Sequence, residues 1–255
     1  MLSHIFETHS HYDAEQFDGI REQLIESLFE RNIAGIIHAA TDIKSSEFGI
    51  ETAKKYEKFY TSVGFHPEYA SEVPENAIEV LKELAKKNKV VAIGEIGLDY
   101  HYEGYDREAQ IELFRAQLEL ANELDLPVIV HSRNATEDTL EILRELKPRG
   151  VMHCFSGSAE TAKELIEMGF YISLTGVLTF KNAKKACKVM EALPLDRFML
   201  ETDCPYMAPE PHRGELCDSS MIKFTAQKAA EIKGISLEQM LMATEENAKR
   251  FFGIK

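Results

Sequence analysis

No Cys-x-x-Cys pair occurs among the four cysteines, Cys154, Cys187, Cys204 and Cys217, which are scattered along 255 residues. A chain this long buries a core of its own and needs no bridges, so the thiols are read as reduced and the protein as cytoplasmic. The N-terminus shows no basic region followed by an apolar one, and no run approaches the roughly 18 apolar residues of a membrane span. Basic residues are in deficit: 29 Lys and Arg face 43 Asp and Glu, a net charge of -14. This is the wrong sign for coating nucleic acid or an anionic membrane by bulk electrostatics, so any polyanion must be gripped locally. Linkers, charge blocks and low-complexity tracts are also missing, which predicts a single domain over residues 1–255.

What is present is a rhythm of short β-branched runs alternating with longer amphipathic stretches, the pattern of an α/β fold with parallel strands. Strands are expected at Ile5 to Thr8, Ile33 to Ala39, Tyr60 to Gly64, Val90 to Gly94, Pro127 to Val130, Gly150 to Met152, Phe170 to Leu174 and Phe198 to Thr202. Helices are expected between them, for example Glu108 to Leu124 and Glu160 to Met168, the latter stopping at Gly169. Eight units of about 32 residues match a (β/α)₈ TIM barrel. An open doubly wound sheet would place a Gly-rich phosphate loop after the first strand, where this chain has Thr8-His9-Ser10-His11.

A barrel assembles its active site at the C-terminal ends of its strands. There the sequence places His9 and His11 (strand 1), His66 (strand 3), Glu95 (strand 4), His131 (strand 5), His153 (strand 6) and Asp203 (strand 8). One histidine ending an apolar strand is ordinarily a hydrogen-bonded core residue. Five of nine histidines on one face, with two carboxylates, point instead to metal ligation. His9 and His11, two apart on an extended segment, project the same way. Six ligands are too many for one catalytic ion with an open position but suit two: His9, His11, Glu95 and Asp203 for one, and Glu95, His131 and His153 for the other. Imidazole and carboxylate ligands suit Zn²⁺, Mn²⁺, Fe²⁺, Ni²⁺ or Mg²⁺. Glu7, Asp13 and Asp99 are expected to cap helices, orient loops or support ligands rather than to bind an ion. Cys154 and Cys204 are expected to point away from the site.

Six ordered motifs, Glu7-Thr8-His9-Ser10-His11, Gly64-Phe65-His66-Pro67, Gly94-Glu95-Ile96-Gly97-Leu98-Asp99, Val130-His131-Ser132-Arg133, His153-Cys154-Phe155-Ser156-Gly157 and Glu201-Thr202-Asp203-Cys204-Pro205-Tyr206, resemble those of the TatD family of metal-dependent deoxyribonucleases. The resemblance implies a metallohydrolase barrel related to the amidohydrolases that degrades DNA, often from the 3′ end. It also implies the same ligand set, with Glu201 as an additional metal or active-site carboxylate in some members. The family usually has Asp in place of Glu7 and of Asn134, and Asn-Glu-Pro where this chain has Cys217-Asp218-Ser219.

The resulting expectation is a two-metal phosphodiesterase in which Asp203 positions and deprotonates the attacking water, Glu95 bridges the ions, and His66, Arg133, His212 and Arg213 bind phosphate. DNA is the expected substrate, entered through single-stranded 3′ ends and held by one or two phosphates, with no obligate protein partner. The competing expectations are an amidohydrolase or deacylase using the same metals on a carbonyl, and a non-catalytic scaffold. Asp203 and Glu95 argue against the scaffold, since binding a partner needs neither.

Overall fold

The computed structural model describes residues 4–255. Each βα repeat appears in turn: β1 (Phe6–Ser10), α1 (Arg21–Glu30), β2 (Gly35–His38), α2 (Ile43–Lys55), β3 (Phe59–Val63), α3 (Ala77–Leu84), β4 (Val90–Asp99), α4 (Arg107–Leu124), β5 (Val128–Arg133), α5 (Thr136–Leu146), β6 (Gly150–Met152), α6 (Ala159–Glu167), β7 (Tyr171–Leu174), α7 (Lys184–Ala192), β8 (Phe198–Leu200), α8 (Ile222–Lys233) and α9 (Leu237–Phe252). The strands follow one another in sequence order in a single eight-stranded sheet. Ser10, at the end of β1, pairs in parallel with Cys204, just beyond β8. This is the (β/α)₈ barrel expected from the alternation. No helix among the described residues is long and apolar enough to cross a membrane.

By internal contacts the chain divides into two units. One holds β1, β2, β7 and β8 with α1 and α6 to α9; the other holds β3 to β6 with α2 to α5. In the first, β1, β2, β7 and β8 are buried at every position. Strands covered on both faces read as continuous apolar runs, which is why β-branched composition located them where alternation could not. Helix α9 opens with a capping box between Ser236 and Gln239, stops at Gly253 (φ 70°), and buries Met240, Leu241, Phe251 and Phe252.

In the second unit, β4 runs to Asp99 rather than stopping at Gly94, because Gly97, Leu98 and Asp99 pair with His131, Ser132 and Arg133. Gly97 permits this pairing: its φ is 148°, and a Cβ there would lie 1.9 Å from the carbonyl oxygen of His131. Helix α4 begins at Asp106, whose carboxylate accepts from the Ala109 N–H at 3.0 Å, a cap of about 1 kcal/mol. The extra pairing moves Glu95 and His131 inside their strands, and His9 is likewise inside β1. Hydrogen bonds between neighbouring strands, which local sequence does not encode, hold these three more rigidly than loop residues would be held.

Candidate metal centre

In the first unit, His9 and His11 converge with Asp203. The two Nε2 atoms lie 3.1 Å apart, and Asp203 Oδ1 is 3.6 Å from that of His9 and 3.2 Å from that of His11. Donors of one ion bound at about 2.0–2.2 Å lie roughly 2.8–3.6 Å from one another, so the spacing fits a cation. Backbone bonds set this arrangement: Asp203 N–H donates to the His9 carbonyl at 3.0 Å and His11 N–H to the Cys204 carbonyl at 2.8 Å. Asp203 adopts a left-handed conformation (φ 61°), which a short acidic side chain tolerates better than most and which re-aims the carboxylate as the chain leaves β8.

Of the roles expected for it, Glu7 takes support of a candidate ligand rather than capping a helix; it ties β1 to the end of β8. Its Oε1 accepts from the N–H groups of His9 (3.1 Å) and Thr202 (3.0 Å), and its Oε2 from the Thr202 hydroxyl (2.5 Å). Burial raises its pKa to about 8 against the lowering effect of these bonds, and Glu201 adds to the rise. Glu201 is buried, with Oε1 accepting from Cys154 N–H at 2.7 Å.

In the second unit, Glu95 Oε1 lies 2.9 Å from His131 Nδ1 and 2.9 Å from His153 Nε2, and these nitrogens are 3.1 Å apart. This triangle is the second cation-sized donor set. The other nitrogen of His131, Nε2, faces Asp99 Oδ2 at 3.1 Å. Burial lowers the affinity of His131 for a proton, but its bonds to Asp99 and Glu95 outweigh that and raise its pKa. For Asp99 burial acts upward, and the bonds from His131 and the His101 N–H overcome it, leaving the pKa lowered. Because Nδ1 faces Glu95 and His153, Asp99 is assigned the supporting role expected for it. His66 stands beside this group, with Nε2 3.8 Å from Glu95 Oε1 and its ring 4.6 Å from that of His131. Asp13 stands 4.0 Å from the buried His38.

The remaining candidates lie further out. Arg133 is exposed and forms no ion pair with a helix carboxylate among the described residues; it bonds the Tyr102 hydroxyl at 3.3 Å and lies 5.2 Å from that ring's centroid. Tyr102 was not a candidate from sequence: a tyrosine in a polar loop gives no pattern, and only its solvent exposure beside Arg133 marks it. His212 pairs with Glu215 at 2.9 Å and packs on Phe224, while the Arg213 guanidinium sits 3.8 Å from the Phe180 ring centroid. Neither joins a ligand triangle. Cys154 turns its sulfur to Thr175 and Met207, and Cys204 is fully buried with its thiol pKa raised chiefly by burial.

A family model described as TatD related DNase matches residues 6–253. The chain belongs to the TatD family. It is 42% identical to YabD of Bacillus subtilis, an uncharacterized metal-dependent hydrolase, over 98% of this chain and 99% of that one. It is 32% identical to the 3′-5′ ssDNA/RNA exonuclease TatD of Erwinia tasmaniensis, over 94% of this chain and 96% of that one. Among solved structures, the TatD homolog YjjV of Escherichia coli K12 superposes with a TM-score of 0.93 at 28% identity, each chain covered in full. The protein is thus a metal-dependent hydrolase of the TatD family, and its imidazole-carboxylate clusters have the donor chemistry that membership implies.

Proposed function

We propose that this TatD hydrolase is a deoxyribonuclease that removes nucleotides from the 3′ ends of single-stranded DNA in the cytoplasm, using two divalent cations. The supporting observation is the convergence of His9, His11 and Asp203 in one triangle and of Glu95, His131 and His153 in another, each at cation-compatible spacing. The name of the Erwinia tasmaniensis relative supports the choice of nucleic acid.

The first triangle would hold one ion, and the second, which includes the carboxylate of Glu95, the other. Bound cations would lower the pKa of water and neutralise charge on a phosphodiester. Asp203, whose side chain is 12% exposed, is open to a water molecule and takes its proton. Arg133 offers a planar fork to a phosphate oxygen, and Tyr102 presents an exposed ring beside it on which a terminal base can stack. His66, beside Glu95 and His131, would donate to the same phosphate. A carbonyl substrate would leave Arg133 without a charge to meet.

The test is digestion of end-labelled single-stranded, duplex and closed circular DNA, alongside RNA and amide substrates, across a panel of divalent metals. Stepwise shortening from 3′ ends with circles left intact is the expected result. Efficient cutting of circles would remove the exonuclease reading, and turnover of amides alone would remove the nuclease reading.

A further inference from the structure

A second recess lies outside both ligand triangles, in the first unit, between the loop after β7 and the loop after β8. It has a volume of about 390 Å³ and is lined by Val177, Phe180, Lys181, Asn182, Glu210 and Arg213. The two loops are fixed to each other: Glu210 N–H donates to the Thr179 hydroxyl at 2.8 Å, and a Cβ on Gly176 would lie 2.3 Å from the Met207 carbonyl oxygen. The loop after β8 begins at Glu201 and carries Asp203 of the first triangle as well as Glu210 and Arg213 of the recess, so one segment serves both.

Its rim carries several basic side chains. Lys181 lines the recess, Lys184 and Lys185 follow exposed at the start of α7, and none of them, nor Arg213, has a carboxylate within ion-pair distance among the described residues. Helix α7 has no acidic residue in its first turn; it begins with Lys184 and Lys185, at the positive end of its dipole, where cations are disfavoured. Helix stability therefore gives no reason for these charges to gather there, in a chain of net charge -14. A bound polyanion does. The loops after strands 7 and 8 are also a common place for phosphate to bind in this fold.

We infer that this recess and its lysines form a track for the phosphodiester backbone of a single-stranded nucleic acid whose terminal nucleotide lies at the metal centre. The inference rests on the nuclease reading above and extends the expected grip beyond one or two phosphates. Lys181, Lys184 and Lys185 meet successive phosphates. The guanidinium of Arg213, stacked on Phe180, presents its outer plane to a base, and Phe180 keeps that plane fixed. Glu210 repels phosphate from the inner wall and accepts from a base amino or sugar hydroxyl group, so the backbone runs along the lysine side.

The experiment measures fluorescence-anisotropy binding of a thymidine dinucleotide and a thymidine dodecanucleotide across a salt series, with metal chelated. It compares the parent with Phe180→Ala and with the triple variant Lys181→Gln, Lys184→Gln, Lys185→Gln. The dinucleotide is expected to bind the parent and the triple variant alike. The dodecanucleotide is expected to bind the triple variant roughly tenfold more weakly, with a log-log salt slope shallower by about two, the value for three lost contacts on a single strand. Phe180→Ala is expected to weaken the longer strand only. Equal binding of the longer strand by the parent and the triple variant overturns the track, as does an equal loss for both lengths. If the parent shows the length and lysine dependence yet hydrolyses no DNA with any metal, the track stands and the nuclease reading falls. If it hydrolyses DNA and the triple variant keeps the parental KM on the longer strand, the reverse holds.

Discussion

Asp99 Oδ2 lies 3.1 Å from Nε2 of His131, the nitrogen opposite the one that faces Glu95 and His153. One carboxylate thereby orients an imidazole whose other nitrogen points to the Glu95 and His153 side chains. Asp99 is itself held by Gln110, which donates to its carbonyl oxygen and accepts from its N–H. Asp99→Asn is expected to lower metal affinity at the group that includes His131 by about 10- to 100-fold with the fold intact. Metal titration against a competing chelator measures this, and unchanged affinity would show that His131 needs no such partner.

Removing metal is expected to abolish hydrolysis and leave the barrel folded. Buried side chains such as Phe59, Phe114, Phe170 and Phe198 form an apolar core that requires no ion, unlike that of a zinc finger. Far-ultraviolet circular dichroism of the chelated protein checks the claim, which a loss of helical signal would contradict.

Asp203→Asn and Glu95→Ala are expected to fail differently. Asn keeps an oxygen donor toward the ion but does not accept a proton at neutral pH, so turnover should fall by about 10²-fold or more with metal largely retained. Glu95→Ala removes the oxygen on which His131 and His153 converge and should lose metal as well. Metal content and kcat measured together separate the two variants, and parental kcat in Asp203→Asn at saturating metal would exclude Asp203 as the base.

Stability on the acid side should report on Glu245 of α9, which bonds His4 and Lys249, each at 2.6 Å. Burial would raise its pKa, but these two partners outweigh that and lower it below 4.5. A carboxylate whose pKa is lower folded than unfolded contributes stability fully above the unfolded value, and loses it as pH falls through the folded one. Glu245→Gln is therefore expected to be less stable than the parent by roughly 1 kcal/mol at neutral pH, with the gap closing below pH 4.5. Urea denaturation at two pH values decides this, and a gap independent of pH would assign the loss to packing.

The alternation of strands and helices was legible because both periodicities are local, and β6 falls on Gly150 to Met152, as its composition predicts. The candidate ligands were nominated for a related reason. A parallel barrel brings all strand ends to one face, so His9, His11, His131, His153 and Asp203 could be nominated from their positions alone, and the metal-ligand chemistry followed from residue type. Strand ends were less legible, because β4 reaches Asp99 through hydrogen bonds to β5, a segment distant in sequence.

Tertiary structure alone decided which neighbours these residues meet. Glu7 and Thr202 are 195 positions apart, and no local pattern relates them. Arg133 meets Tyr102 and Arg213 meets Phe180 because of how separate loops approach each other. Lys181 of the loop after β7 and Lys184 and Lys185 of α7 were visible as residues but not as a site, since a site requires the recess that the loop after β8 completes. Sequence determined the architecture and the chemical identity of the centre, because periodicity and residue type are properties of a chain segment. Registry, tautomer and the surface that meets the substrate depend on distances between segments, and those exist only after folding.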